Sequence, residues 1–503
     1  MRYYFYGAER LQFLGLNPNE TACVIIYLIC VLWIVEKNIN RIQWQMPLYA
    51  IEIVALICLA QTFSRGGVVA LLIVAIVVGI LRRGLLGRVR LMSASRMPGD
   101  TRGGLGETAL PRTSHCVLTL NWRGVLKGFA TYPIWRVSLI TLYPGIWSRM
   151  SPTYLANDAS VGNRLTLWTG GLKLHSGGFM EGWGWEKTGL SYMNWVQPLH
   201  DRLEYNGMVN SFLLIGVGFG GLVLTLVLFY LILGLVNSCA LVRKSHTGQA
   251  MCGGFGEAAL PDDSAKYSRI IGSVCLLWTI TWIVCSLFST MMRSSLLVVP
   301  VVMAILLTFI LSRPKLKHIL MSLGIAVTLS MGLYVSGALL SMASSFSVTK
   351  KGGVVHVINK NGLPGKICVF YADECALGNN YGKAVRRYME AKGIRTCVVI
   401  TNGNKQGFAK QPADENTVFV LSGDAVSAIS LEKLQGKIIL LYPHCNVNEL
   451  GKFEYVKQVL FPEIDPLRYR YSWQRHPSWG SRVELIPYDS TFKTKWPDYI
   501  IDI

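Results

Sequence analysis

The strongest constraint on this chain is a series of apolar runs, each near the length that crosses a bilayer. A hydrocarbon core about 30 Å thick needs about 20 apolar residues as helix. Eight stretches are read this way: 20–36, 47–64, 66–82, 127–147, 209–237, 270–290, 295–312 and 318–342. The fourth is the weakest, because Pro133, Arg136 and Pro144 interrupt it, and Arg136 is read as the only awkward charge in the expected spans. Ser64-Arg65-Gly66 separates the second and third, which predicts a tight helical hairpin. The start, Met1 to Glu20, is polar and aromatic, without the basic-then-apolar pattern of a cleavable signal. With 51% hydrophobic and 16% charged residues, an evenly soluble, disordered or fibrous chain is excluded.

The charge follows the spans. Lys and Arg number 49 against 29 Asp and Glu, a net +20. The segment between the third and fourth spans carries Arg82, Arg83, Arg88, Arg90, Arg96, Arg102, Arg112 and Arg123, opposed by Asp100 and Glu107. The positive-inside rule makes that loop cytoplasmic. Alternation then puts Lys37/Arg41, Arg243/Lys244 and Arg313/Lys315/Lys317 inside as well. Topology accounts for the basic excess, and no nucleic-acid partner is expected. The outer side receives the N-terminus, the Ser64-Arg65-Gly66 turn, loop 148–208, the short loop at Arg293 and everything after 343.

These boundaries divide the chain into N-terminal spans (1–147), an extracytoplasmic loop (148–208), C-terminal spans (209–345) and a C-terminal domain (350–503). Gly103 to Pro111 and Gly253 to Pro261 are near copies in expected cytoplasmic loops, and they read as linker. From about 350 the composition becomes that of a water-soluble domain. Apolar runs at 354–358, 367–371, 396–400, 417–421 and 438–442 alternate with helical patterns such as Tyr381 to Lys392, ended by Gly393. That order predicts an α/β domain with a mainly parallel sheet, hydrolase-like or Rossmann-like. A hydrolase nucleophile elbow, Gly-x-Ser-x-Gly, is absent. His356, His444 and His476 are available as bases, with Cys445 beside His444. Cysteines in the apolar runs act as small hydrophobes. Placed outside the cell, Cys368, Cys375, Cys397 and Cys445 could form one or two disulfides, in a pairing that spacing leaves open.

Two clusters on the outer face carry chemistry. Arg65 stands at the bilayer edge, where ionisable residues are costly and tend to be functional. A guanidinium can hold phosphate oxygens, and Gly66 and Gly67 allow close backbone approach at a helix start that favours anions. Its plain alternative is an arginine that only anchors the hairpin. Loop 148–208 holds Asn163, Arg164, Trp168, Gly182-Trp183-Gly184-Trp185, Trp195, Gln197, His200, Asp201, Arg202 and Glu204. Aromatic faces stack on sugar rings, and an imidazole or carboxylate can activate a hydroxyl. An interfacial tryptophan belt explains some of the tryptophans but not the polar groups among them.

Three patterns over residues 8–240 resemble the O-antigen ligase and polymerase superfamily of bacterial membrane glycosyltransferases. The first is Gly15-Leu16-Asn17-Pro18-Asn19, preceded by Arg10. The second is Thr62-Phe63-Ser64-Arg65-Gly66-Gly67. The third runs from Arg164 and Trp168 through Gly182-Trp183-Gly184 to Val209-Asn210-Ser211-Phe212-Leu213 and Gly220. Where the family has a histidine before the asparagine, this chain has Val209, and His200 with Asp201 is the expected substitute; Tyr205 and Glu204 are further candidates. The family's Asn-Pro-Asn usually follows several spans, so the chain is expected to be short at its N-terminus. The resemblance implies glycan transfer from an undecaprenyl-diphosphate carrier to a saccharide or lipid-saccharide acceptor at the outer face of a bacterial cytoplasmic membrane. Arg65, Arg10, Asn19, Arg164, Trp168 and Asn210 would bind substrate, with Arg293 a further candidate for the diphosphate. His200 and Asp201 would be catalytic. No Asp-x-Asp or His/Cys metal set appears, so neither metal nor cofactor is expected. Competing classes are a transporter or flippase for lipid-linked saccharides, and a membrane-anchored hydrolase or binding module acting through 350–503.

Overall fold

The computed structural model describes residues 2–5, 8–11, 16–39, 42–82, 159–201, 205, 207–251, 263–372, 381–401, 417–422, 437–441, 456–462 and 484–488. The expected fourth span, the arginine-rich loop after Arg82 and both glycine-rich copies lie outside them. So do Arg202, Glu204, Cys375, His444, Cys445 and His476. The chain divides into two compact units, Met1–Asn157 with Tyr230–Ser322, and Asp158–Phe229 with Leu323–Ile503.

The first unit opens with a hairpin of β1 (Arg2–Phe5) and β2 (Ala8–Leu11). Helices α1 (Pro18–Asn38), α2 (Ile42–Gln61) and α3 (Arg65–Arg82) follow. The second unit begins with α4 (Ala159–Gly177), α5 (Thr188–Trp195) and α6 (Ser211–Phe219). Beyond α6 come the long helices α7 (Gly221–Met251), α8 (Asp263–Phe288), α9 (Ser295–Ser312) and α10 (Leu316–Met342).

Among the described residues, six helices are long and apolar enough to cross a membrane: Pro18–Glu36, Gln43–Gln61, Gly221–Arg243, Lys266–Phe288, Ser295–Ser312 and Leu316–Met342. A shorter apolar helix covers Arg65–Ile80. Exposed apolar side chains such as Val54, Ile57, Leu306, Ile310 and Leu329 suit a hydrocarbon solvent, not water. The run expected as one span over 209–237 is two helices. Gly220 separates α6 from α7 at φ 88°, a left-handed value that glycine adopts freely.

Within the first unit, α8 packs on α1, α3 and α9. Trp278 Nε1 donates to the Tyr27 carbonyl (3.2 Å), and the two rings stand 5.3 Å apart. The contacts between α1 and α2 include two buried carboxylates. Trp33 Nε1 donates to Glu52 Oε1 (2.6 Å), and Tyr49 Oη donates to Glu36 Oε1 (2.7 Å). Arg136 was expected to be the only awkward charge in the spans. Glu52 corrects that expectation, because it sits buried inside a candidate span with an indole as donor.

The second unit also contains a mixed sheet with, among the described residues, one helix. Strands β3 (Phe346–Lys351), β4 (Val354–Asn359) and β5 (Leu363–Ala372) precede α11 (Tyr381–Ala391). Then come β6 (Ile394–Thr401), β7 (Thr417–Ser422), β8 (Lys437–Leu441), β9 (Val456–Pro462) and β10 (Glu484–Tyr488). Their order is β10-β9-β8-β7-β5-β6-β4-β3. The β3–β4 and β4–β6 pairs are antiparallel, and the other pairs are parallel. Cys368 and Cys397 are register partners on β5 and β6, both buried and both free thiols; burial and mutual contact push the Cys397 thiol up.

The loop and the C-terminal domain, expected as separate segments, share one core. Leu174, Trp183, Tyr192 and Leu214 are buried in the same cluster as Val357, Phe370 and Val399. Alanine at Gly220 would meet two obstacles: a positive φ, and a Cβ 2.7 Å from the Phe179 carbonyl oxygen. Left-handed backbone alone costs an L-residue about 1–2 kcal/mol. Gly220→Ala is therefore expected to lower stability by at least about 2 kcal/mol. Thermal unfolding of the purified protein checks this, with Gly162→Ala, where nothing lies near the new Cβ, as the neutral control.

Candidate functional site

The first two sequence patterns are helix starts that touch. Asn17 is the N-cap of α1: its Oδ1 accepts from the amides of Asn19 and Glu20 (both 3.0 Å). Glu20 Oε2 accepts from the Asn17 amide in return (3.0 Å), closing a capping box around Pro18. At the start of α3, Ser64 Oγ accepts from the Gly67 amide (3.0 Å) and donates to Asn19 Oδ1 (2.8 Å). That single bond joins patterns 45 residues apart in sequence.

The turn before α3 is tightly set. Phe63 takes a left-handed φ of 50°, rare for a side chain of this kind. Thr62 Oγ1 donates to the Leu59 carbonyl (2.7 Å) and accepts from the Ser64 amide (3.3 Å). A Cβ on Gly67 would stand 2.8 Å from that of Ala22, so this glycine is what lets α3 approach α1. Arg65, half-buried, is the first residue of α3. Arg10 lies on β2 opposite Tyr3, and β2 touches α1 and α2.

The third pattern assembles inside the second unit. Arg164 and Trp168 lie on α4, one turn apart and half-buried. Trp168 Nε1 donates to the Val209 carbonyl (3.4 Å). Asn210 is the N-cap of α6, its Oδ1 accepting from the amides of Phe212 (2.9 Å) and Leu213 (3.0 Å). The Gly182-Trp183-Gly184 turn reaches the far end of that helix. Trp183 N donates to the Val217 carbonyl (2.7 Å) and Gly184 N to that of Gly218 (3.0 Å). Gly182 permits this with φ 66°, and a Cβ there would fall 2.4 Å from the Gly218 oxygen. Asn210 thus has a structural role whatever it binds.

His200 is exposed and Asp201 half-buried in the turn after α5. Asp201 shares its surroundings with two phenols. Tyr192 is buried with no partner for its hydroxyl among the described residues, and its ring meets Tyr205 edge-on at 5.2 Å. Burial raises the Tyr192 pKa, the charges of Tyr205 and Asp201 raise it further, and Arg386 opposes them. Asp201 and Tyr205, two of the candidates named from sequence, thus lie near one buried tyrosine that the sequence did not mark.

The structure adds His175, two helical turns after Trp168 on α4. It is buried with no hydrogen-bond partner for either ring nitrogen among the described residues. Its ring meets Phe179 edge-on at 5.4 Å, and a Cβ at Gly216 would touch Nδ1 at 2.9 Å. Nothing local in the sequence distinguishes this histidine; Gly216 of α6 and Phe179 close over its ring. No group of three or more potential metal ligands occurs among the described residues. No protein-family model, no curated protein and no solved structure matches the chain.

Burial lowers the His175 pKa, and the Gly216 backbone only partly offsets it. The unfolded chain therefore binds a proton more readily than the folded one, so stability falls as pH drops below about 6.5. His175→Leu is expected to flatten that part of the stability–pH curve. Thermal midpoints from pH 7.5 to 5 check this. An unchanged slope would assign the acid sensitivity to another group.

Proposed function

We propose that the protein transfers a glycan from an undecaprenyl-diphosphate carrier to a saccharide or lipid-saccharide acceptor at the outer face of a bacterial cytoplasmic membrane. The reading includes eight spans, with the 127–147 run as the fourth, and an extracytoplasmic C-terminal domain with a mainly parallel sheet. The observation that carries it is the Ser64–Asn19 hydrogen bond. It draws together the two helix starts that resemble the glycosyltransferase motifs, with Arg65 as the first residue of one. Helix starts favour anions, and a guanidinium fits diphosphate oxygens two at a time.

In this reading Arg65, assisted by Arg10 and Asn19, holds the diphosphate and stabilises the charge that grows on it as the glycosyl bond breaks. The bond between the anomeric carbon and the diphosphate oxygen opens as the acceptor oxygen attacks that carbon. A base in the turn at His200 and Asp201 takes the acceptor proton. Arg164 and Trp168 orient the sugar, and Asn210 caps α6. The apolar helices face the lipid tail.

One observation favours a second reading, transport of a lipid-linked saccharide: the buried Glu52 within a candidate span. Intramembrane carboxylates commonly mark transport paths. As an acceptor for the Trp33 indole, Glu52 should be replaceable by glutamine, which keeps an acceptor oxygen.

Transfer assays in membranes supplied with an undecaprenyl-diphosphate glycan test both readings. Arg65→Ala is expected to lower transfer on the order of 10²-fold, the loss typical of removing one donor to a developing anion. Arg65→Lys should recover part of it, and His200→Ala should lower the rate without weakening carrier binding. Glu52→Gln should leave transfer intact. If Glu52→Gln abolishes movement of the lipid-linked glycan across the membrane while no glycan is transferred by the wild type, the transport reading replaces this one.

A further inference from the structure

Helix α11 carries three cations, Lys383, Arg386 and Arg387, and they are not directed at water. Arg386 is buried; its Nε donates to the Asn194 carbonyl (3.0 Å) and its Nη2 to the Gln197 carbonyl (2.9 Å). Arg387 Nη2 donates to the Leu199 carbonyl (2.9 Å). Lys383 Nζ donates to the carbonyl of Asp201. At the head of the helix, the Gly382 amide donates to Asn194 Oδ1 (3.2 Å), and a Cβ at Gly382 would strike Asn194 at 2.6 Å.

All these acceptors lie between residues 194 and 201: Asn194 in the last turn of α5, whose final carbonyls have no partner within the helix, and the others in the turn that follows it. Cations there meet the carbonyls of this segment and, at Asn194, the negative end of the helix dipole. The rigid fork of an arginine spans two carbonyls at once, which a lysine could not do from one position. Burying such a charge is costly unless its donors are used, and here two directions of the fork are used on one short segment.

We propose that Lys383, Arg386 and Arg387 are positioning residues for the turn that bears His200 and Asp201. The C-terminal α/β domain then serves as the built-in template of the acceptor-activating loop, not as a separate binding module. The functional part of this inference rests on the glycosyl-transfer reading; the structural part does not. Other contacts tie the same two segments. Glu181 accepts from the amides of Gly352 and Gly353 in the β3–β4 turn, and Lys350 Nζ donates to the Gly182 carbonyl (3.0 Å). A detachable module would not need these contacts.

The test uses the full-length protein in lipid nanodiscs. Arg386 is too deeply buried for its removal to be informative alone, so the variants are Lys383→Met, Arg387→Ala and Arg387→Lys. Two readouts are taken: amide hydrogen exchange by mass spectrometry, and steady-state transfer kinetics from an undecaprenyl-diphosphate glycan. In Lys383→Met and Arg387→Ala, exchange over 196–201 should speed up at least tenfold while β4, β5 and β6 keep their protection. Their kcat should fall at least tenfold, with KM for the carrier substrate within twofold of wild type. Arg387→Lys should restore most of both, because the native contact uses one donor. Exchange over 196–201 that matches wild type overturns the proposal, as does kcat that stays unchanged despite a loosened turn. Exchange that rises equally across β4–β6 overturns it too, because α11 would then hold the domain and not the turn. If wild type transfers no glycan, the glycosyl-transfer reading fails, and exchange alone decides whether α11 holds the turn.

Discussion

The second unit depends on close backbone contact between the Gly182–Gly184 turn and the end of α6. Trp183 and Gly184 donate their amides to the carbonyls of Val217 and Gly218, and Gly221 donates to that of Phe179 (2.6 Å). These bonds need backbone where side chains would stand: Gly182 and Gly220 take left-handed φ values, and a Cβ on either would collide with a carbonyl. Once they form, α4, α6 and the start of α7 are fixed together. Trp183 is then driven into the core, where its Nε1 donates to the Leu174 carbonyl (2.7 Å). The sheet packs on that core through Val348, Val357 and Phe370. Buried backbone groups must be paired, and glycine lets them pair with each other across three elements.

The first unit solves a related problem at its helix starts. A helix entering a bilayer leaves its first amides without partners unless a side chain supplies one. Asn17 and Ser64 do so for α1 and α3, and the hydroxyl of Ser64 then reaches Asn19. Capping and the joining of two motifs are therefore one hydrogen-bond chain. Arg65 stands at the end of that chain, on a helix held close to α1 because Gly67 has no side chain.

What could be read from sequence was local. Asn-Pro-Asn-Glu carries its own capping box, and Ser64 before Arg-Gly-Gly marks the start of α3. Apolar length gave the six long helices, and the runs at 354–358, 396–400 and 417–421 fall on β4, β6 and β7. What could not be read depends on partners distant in the chain. The run at 209–237 looked continuous because Gly220 is neutral in hydropathy; its φ is set by Phe179 and Gly182. Strand β3, Phe-Ser-Val-Thr-Lys-Lys, is too polar to stand out, and it exists through its pairing with β4. Glu52 went unmarked in its span, because the indole of Trp33 that receives it lies on another helix. The cations of α11 carried no local signal, because their acceptors lie almost two hundred residues earlier.

In the glycosyl-transfer reading, the start of α3 holds a polyprenyl diphosphate through Arg65. Native mass spectrometry of the purified protein with undecaprenyl diphosphate, undecaprenyl monophosphate and undecaprenol tests it most directly. The account predicts retention of the diphosphate over the monophosphate and the alcohol, and loss of that preference in Arg65→Ala with the helical content unchanged. Equal retention of all three lipids, unaffected by Arg65→Ala, would contradict it and leave the arginine as a membrane anchor.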